Sequence, residues 1–92
     1  MVHLQPRVSA EPEQLHSRAE EYFRRRCRLV QIQCEEDTRL VYVFDKGLTL
    51  ENLTVSMPED KIVDSIGDVY TFAPVFEKEL GRRHGLSFRV LT

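Results

Sequence analysis

Residues 29–57 read LVQIQCEEDTRLVYVFDKGLTLENLTVSM, and the change of pattern along this run decides the fold. Val30, Ile32 and Cys34 alternate with Gln31 and Gln33, the period of a half-buried strand. Glu35-Glu36-Asp37-Thr38 is polar turn material. Leu40, Val41, Tyr42, Val43 and Phe44 form a β-branched and aromatic run, which predicts a more deeply buried strand. Asp45-Lys46-Gly47 is a short turn in which Gly47 is free to take positive φ. Leu48 and Leu50 continue one face of a third strand. Leu53, Val55 and Met57 lie in the other phase, which places a bulge or twist near Glu51-Asn52. Turns this short make the three strands an antiparallel meander.

A helix is predicted on each side of the meander. Upstream, Leu15, Ala19, Tyr22 and Phe23 make an apolar stripe. Pro12 suits a first helical turn. Glu11 and Glu13 at the start, and Arg24, Arg25 and Arg26 at the end, complement the helix dipole. Glu20–Arg24 and Glu21–Arg25 have favourable i,i+4 order. The helix is read over 11–26, and residues 1–10 as a loose arm or a short strand. Downstream, Ile62, Val63, Ile66 and Val69 punctuate an ordered connection. A second helix from Ala73 carries Val75, Phe76 and Leu80 on one face, with Phe72 just before it. Gly85 is its stop, and Leu86, Phe88 and Val90 alternate as a last strand. The order α-β-β-β-α-β predicts one α+β domain over 11–92. It is a two-layer sandwich, with both helices on one face of a four- or five-stranded, mainly antiparallel sheet. The last strand is able to make that sheet mixed by inserting beside an earlier one.

Bulk numbers exclude more than they reveal. The 92 residues carry 13 Lys and Arg against 15 Asp and Glu, a net charge of −2, so electrostatics give no case for nucleic acid as the main partner. No apolar run is long enough to span a bilayer, and no charged-then-apolar leader is read at the N-terminus. If the stretch between Cys27 and Cys34 is extended, they stand roughly 23 Å apart and point to opposite faces, too far for a disulfide. They are read as reduced small hydrophobes. His3, His16 and His84 are scattered without metal-ligand spacing, and no metal site is expected. Glu77 and Glu79, two apart on a helix, point ~200° apart and make no acid–base pair. No phosphate loop or nucleophile elbow appears. The basic run Arg24-Arg25-Arg26-Cys27-Arg28 is read as a solvated helix end.

One stretch is more specific. Ser65-Ile66-Gly67-Asp68-Val69-Tyr70 precedes the second helix, which carries Glu77-Lys78-Glu79 and leads to Gly85-Leu86-Ser87-Phe88. This resembles the thirty-kilodalton subunit family of the respiratory-chain NADH dehydrogenase, the NADH-quinone oxidoreductase. Its pattern is Ser-Ile-x-Asp-aliphatic-Tyr, then Glu-Arg-Glu, an acid three residues on, and Gly-aliphatic-x-Phe. Leu29-Val30, Leu40-Val41 and Leu53-Thr54-Val55 also fit, so the likeness covers about four-fifths of the chain. Two departures stand out. Lys78 replaces the family's Arg, losing the planar fork, and Arg82 stands where the family has Asp. The family's C-terminal extension has no counterpart up to Thr92. The likeness is therefore closer to the short form, the equivalent subunit of energy-converting nickel–iron hydrogenases.

The resemblance implies a non-catalytic accessory subunit, cytoplasmic and peripheral to the membrane through its complex. It would dock on a hydrogenase-like large subunit and an iron–sulfur small subunit. No cofactor would be bound by this chain, since the iron–sulfur, nickel–iron or quinone chemistry would lie in the partners. Asp68, Tyr70, Glu77, Lys78, Glu79, Arg82 and Arg83 are then the expected partner-binding residues. The alternative is a free-standing interaction or regulatory module of the same fold.

Overall fold

The computed structural model describes residues 7–47 and 49–91. Residues 1–6 of the expected arm, with His3, lie outside them, as does Leu48. The order is β1 (Arg7–Ala10), α1 (Leu15–Arg24), β2 (Arg28–Glu35), β3 (Arg39–Asp45), β4 (Leu50–Ser56), β5 (Ile62–Asp64), α2 (Ala73–His84) and β6 (Ser87–Arg89).

The predicted meander forms. β2, β3 and β4 pair antiparallel, with Ile32 opposite Tyr42 and Tyr42 opposite Leu53. β1 adds to the outer edge of β4 in parallel, so the sheet order is β1-β4-β3-β2. The sheet is mixed for that reason and not because of the last strand. β6 instead pairs in parallel with β5, forming a separate two-stranded sheet. Ile62 and Val63, expected within a connection, are the β-branched residues that make β5 a strand. α2 is the crossover that a parallel β5–β6 pair requires.

Two phase expectations change. The register slips between Leu29 and Gln31, so the bulge lies at Val30 and leaves that side chain exposed. With the extra residue, Leu29 and Ile32 share the face that holds Phe44 and Tyr42. β4, by contrast, keeps unbroken register through Glu51 and Asn52. Its apolar pattern breaks because Glu51 takes an inward position, where the Tyr22 hydroxyl donates a hydrogen bond to its carboxylate. That bond outweighs burial and holds the Glu51 carboxyl below its ordinary value.

Both helices cover the face carrying Leu40, Tyr42 and Phe44, and these pack with Leu15, Leu53, Val55, Val63 and Ile66 in one core. Tyr22 of α1 stacks on Phe44 of β3 at 4.0 Å. Helix α1 is shorter than predicted. Pro12–Gln14 is a 3₁₀ turn, in which the Gln14 side chain accepts the Glu11 N–H at 2.9 Å. At the other end Arg26 is left-handed, with φ of 62°. The N–H groups of Arg26 and Cys27 donate to the carbonyls of Phe23 and Tyr22. These two bonds are a Schellman close, with Arg26 where glycine is usual.

Candidate docking interface

The residues expected to bind partners do not form one surface. Glu77 is buried. It accepts a hydrogen bond from the Ser65 hydroxyl at 2.7 Å and another from the Ile66 N–H at 2.9 Å. Burial is the largest influence on its carboxyl and pushes it up, while these two bonds pull it down. Its position in the signature is thus explained inside the chain: it staples α2 to the Ser65-Ile66 turn. The inward turn of Glu77 also corrects the expected stripe of α2. Ala73, Glu77 and Leu80 face the core, and Val75 is left 65% exposed.

Tyr70 is buried as well. Its hydroxyl donates to the Cys27 carbonyl at 2.6 Å, and burial pushes the phenol up to about 12. Neither Glu77 nor Tyr70 is available to a partner through its polar atoms. Tyr70→Phe is expected to lower stability by about 1 kcal/mol, since a buried carbonyl loses its donor. Chemical denaturation checks it, and an unchanged midpoint would count against the tie.

Asp68, Lys78, Glu79, Arg82 and Arg83 remain at the surface, the last four on α2. Glu79 takes Arg82 at 2.6 Å and Arg83 at 2.9 Å within the helix. Asp68 meets His16 of α1 at 2.8 Å. Exposed pairs of this kind contribute under about 1 kcal/mol each.

A different surface stands out beside them. The end of α1 and the loop before α2 enclose an open groove of about 880 Å³. Cys27, Leu29, Val69 and Tyr70 lie along it, with Phe23 and Phe72 also among its lining residues. Phe72 is 76% exposed and Phe23 56% exposed. Phe23, expected on the buried stripe of α1, lies about 80° round the helix from Leu15 and falls at the stripe's edge. There it packs edge-on against Tyr70 at 5.5 Å. Arg24, Arg26 and Arg28 also line the groove. Arg28 pairs with Asp45 at 2.7 Å. Glu20 meets His16, not Arg24, so the expected Glu20–Arg24 pair is absent. Among the described residues, Arg24 and Arg26 have no ion-pair partner.

In sequence this basic run reads as a solvated helix end and Phe23 reads as part of the buried stripe. The signal for another role is Phe72, a large apolar residue just outside the helix start and two residues before Pro74. Large exposed aromatics beside arginines are the composition of interface centres. The left-handed Arg26 costs about 1 kcal/mol relative to glycine. Such backbone strain concentrates at functional sites.

No family model matches the chain, and no curated protein sequence matches it. Solved structures do. One is the trypsin-resistant fragment (1-134) of Nqo5, with a TM-score of 0.77 at 16% identity over 90% of this chain and 77% of that one. Another belongs to the membrane-bound sulfane sulfur reductase, an archaeal respiratory membrane complex, with a TM-score of 0.65 at 14% identity. That match takes in 97% of this chain but spans only 60% of the reductase chain. The described chain therefore has the α+β fold seen in the Nqo5 fragment.

Proposed function

We propose that the chain is a non-catalytic accessory subunit of a respiratory-type redox complex. The complex is of the complex-I-like oxidoreductase or membrane-bound nickel–iron hydrogenase kind. The subunit docks on the catalytic large subunit and the iron–sulfur small subunit, which carry the redox centres, and it meets the membrane only through them. The observation that carries this reading is the groove with Phe23 and Phe72 exposed beside Arg24 and Arg26. A monomer gains nothing from leaving two phenylalanines in water, whereas a partner that covers them recovers their burial. Unpaired guanidiniums beside them select a partner surface carrying carboxylates. The fold shared with chains of respiratory origin supports the same assignment. No described helix is long and apolar enough to cross a membrane, which is compatible with peripheral attachment.

Co-purification of tagged variants from the native host tests the proposal. A Phe72→Ser, Arg26→Glu double variant is expected to retain the large and iron–sulfur subunits at least about tenfold less well than the unaltered chain, a loss of ~1.4 kcal/mol. Its own melting temperature should change little, because both side chains are exposed. Lys78→Ala with Arg82→Asp, on the outer side of α2, serves as the contrast. Loss confined to that second variant would move the interface to α2. Failure of the unaltered chain to bring down either subunit would overturn the assignment.

A further inference from the structure

Cys34 and His84 are far apart in sequence and neither belongs to a metal-ligand motif. The fold nevertheless brings them together, because the β2–β3 hairpin turn lies beside the last turn of α2. Asp37 is the link. Its Oδ1 lies 2.7 Å from His84 Nδ1 and 3.9 Å from Cys34 Sγ. One donor atom from each residue falls within 4.8 Å of the other two.

The hairpin turn is built to hold this arrangement. The Thr38 N–H donates to the Glu35 carbonyl at 3.0 Å. Between them, Glu36 and Asp37 are left-handed, with φ of 51° and 57°. That is a type I′ turn, usually made by Asn-Gly. It brings the Asp37 carboxylate back toward Cys34, three residues earlier. His84 closes α2, where the helix dipole favours positive charge. Beside Cys34 and His84 an open cavity of about 380 Å³ leaves room for a further ligand.

We propose that Cys34, Asp37 and His84 form an open three-ligand site for a zinc ion, clipping the hairpin tip to the end of α2. The donors are a thiolate sulfur, a carboxylate oxygen and an imidazole nitrogen, the mixed set that suits this borderline-soft ion. Water from the cavity fills the fourth position. The charges balance: thiolate and carboxylate supply −2 against +2. Arg83, beside the cavity, therefore faces a neutral site when it is filled. Glu35 is engaged by Arg7 and Arg39, and Glu79 by Arg82 and Arg83. Binding forms the metal–sulfur bond and releases the Cys34 thiol proton to solvent, with no change of oxidation state. The imidazole and carboxylate atoms need to separate to roughly 3.3 Å, the edge of a tetrahedron with ~2 Å bonds. This site does not depend on the docking proposal.

Cobalt(II) titration of the full chain, followed by zinc competition, tests it. The expected result is a thiolate-to-cobalt charge-transfer band in the near ultraviolet that saturates at one metal per chain and is bleached by zinc. Cys34→Ala abolishes the band and Cys27→Ala keeps it. His84→Gln weakens zinc at least about tenfold. Zinc also raises the melting temperature and slows alkylation of Cys34. Absence of the band in the unaltered chain overturns the proposal whatever the variants do. So does a band that survives Cys34→Ala.

Discussion

Glu77→Ala should lower the unfolding free energy by about 3 kcal/mol. The substitution strands two buried donors, the Ser65 hydroxyl and the Ile66 N–H, and each unsatisfied group costs about 1–3 kcal/mol. Part of that loss is offset because the buried carboxylate no longer has to be desolvated. Glu77→Gln keeps an oxygen acceptor and should lose about half as much. The pH dependence carries a sign of its own. Burial raises the Glu77 carboxyl above its ordinary value of 4.5. Its contribution to stability is thus fully present below that value and is lost as pH rises through the raised one. The unaltered chain should accordingly gain on Glu77→Gln between neutrality and about pH 5. Glu51 acts in the opposite direction. Its carboxyl is lowered, so its contribution holds above the ordinary value and fades as pH falls through the lowered one. Urea unfolding followed by circular dichroism at neutrality and about pH 5 reads the Glu77 effect, and a further series taken below the ordinary value of 4.5 reads that of Glu51. A Glu77→Ala loss smaller than that of an ordinary surface substitution would show that the staple does not hold α2.

Gly81→Ala is expected to destabilise by about 1 kcal/mol, against the sign that helix propensity alone predicts. In an exposed helix interior, alanine gains about 1 kcal/mol over glycine. Here a Cβ would sit 2.9 Å from the carbonyl oxygen of Leu86. That oxygen belongs to backbone that cannot easily retreat. Leu86 is buried, and the next residue, Ser87, donates its N–H to the Lys61 carbonyl at 2.9 Å. Overpacking of this kind costs about 1–3 kcal/mol and exceeds the propensity gain. A thermal melt decides between the two terms. A raised midpoint would mean that the turn after α2 yields.

The meander and both helices are legible because each is a local pattern: alternation in 30–34, a buried run in 40–44 and an apolar stripe over 15–22. What the sequence does not disclose depends on contacts between distant residues. Val30 reads as inward, and only the pairing of β2 with β3 places a bulge there. Glu51 and Glu77 read as polar and outward, yet Tyr22 and the Ser65-Ile66 pair make inward positions tolerable. The groove is hidden for the same reason. Phe23 looks like a core residue until the register of α1 is known, and Arg24 looks satisfied until Glu20 meets His16 instead. The Ser65–Phe88 resemblance locates the fold correctly, while part of its most specific residue pattern holds the chain together internally.

The two parallel pairings bear on how the chain assembles. The β2–β3–β4 meander closes through short turns and can organise early. β1 must wait for β4, since its partner for Arg7 is Asn52, and β6 must wait for α2 to cross back over β5. Loop-closure entropy therefore loads the late stage of folding onto the two ends of the chain. The ends are also the places where each added strand is short. Native fluctuations that release β1 or β6 would leave the meander intact. A central meander formed first, with β1 and β6 added last, is expected to open at those two strands before it opens in its middle.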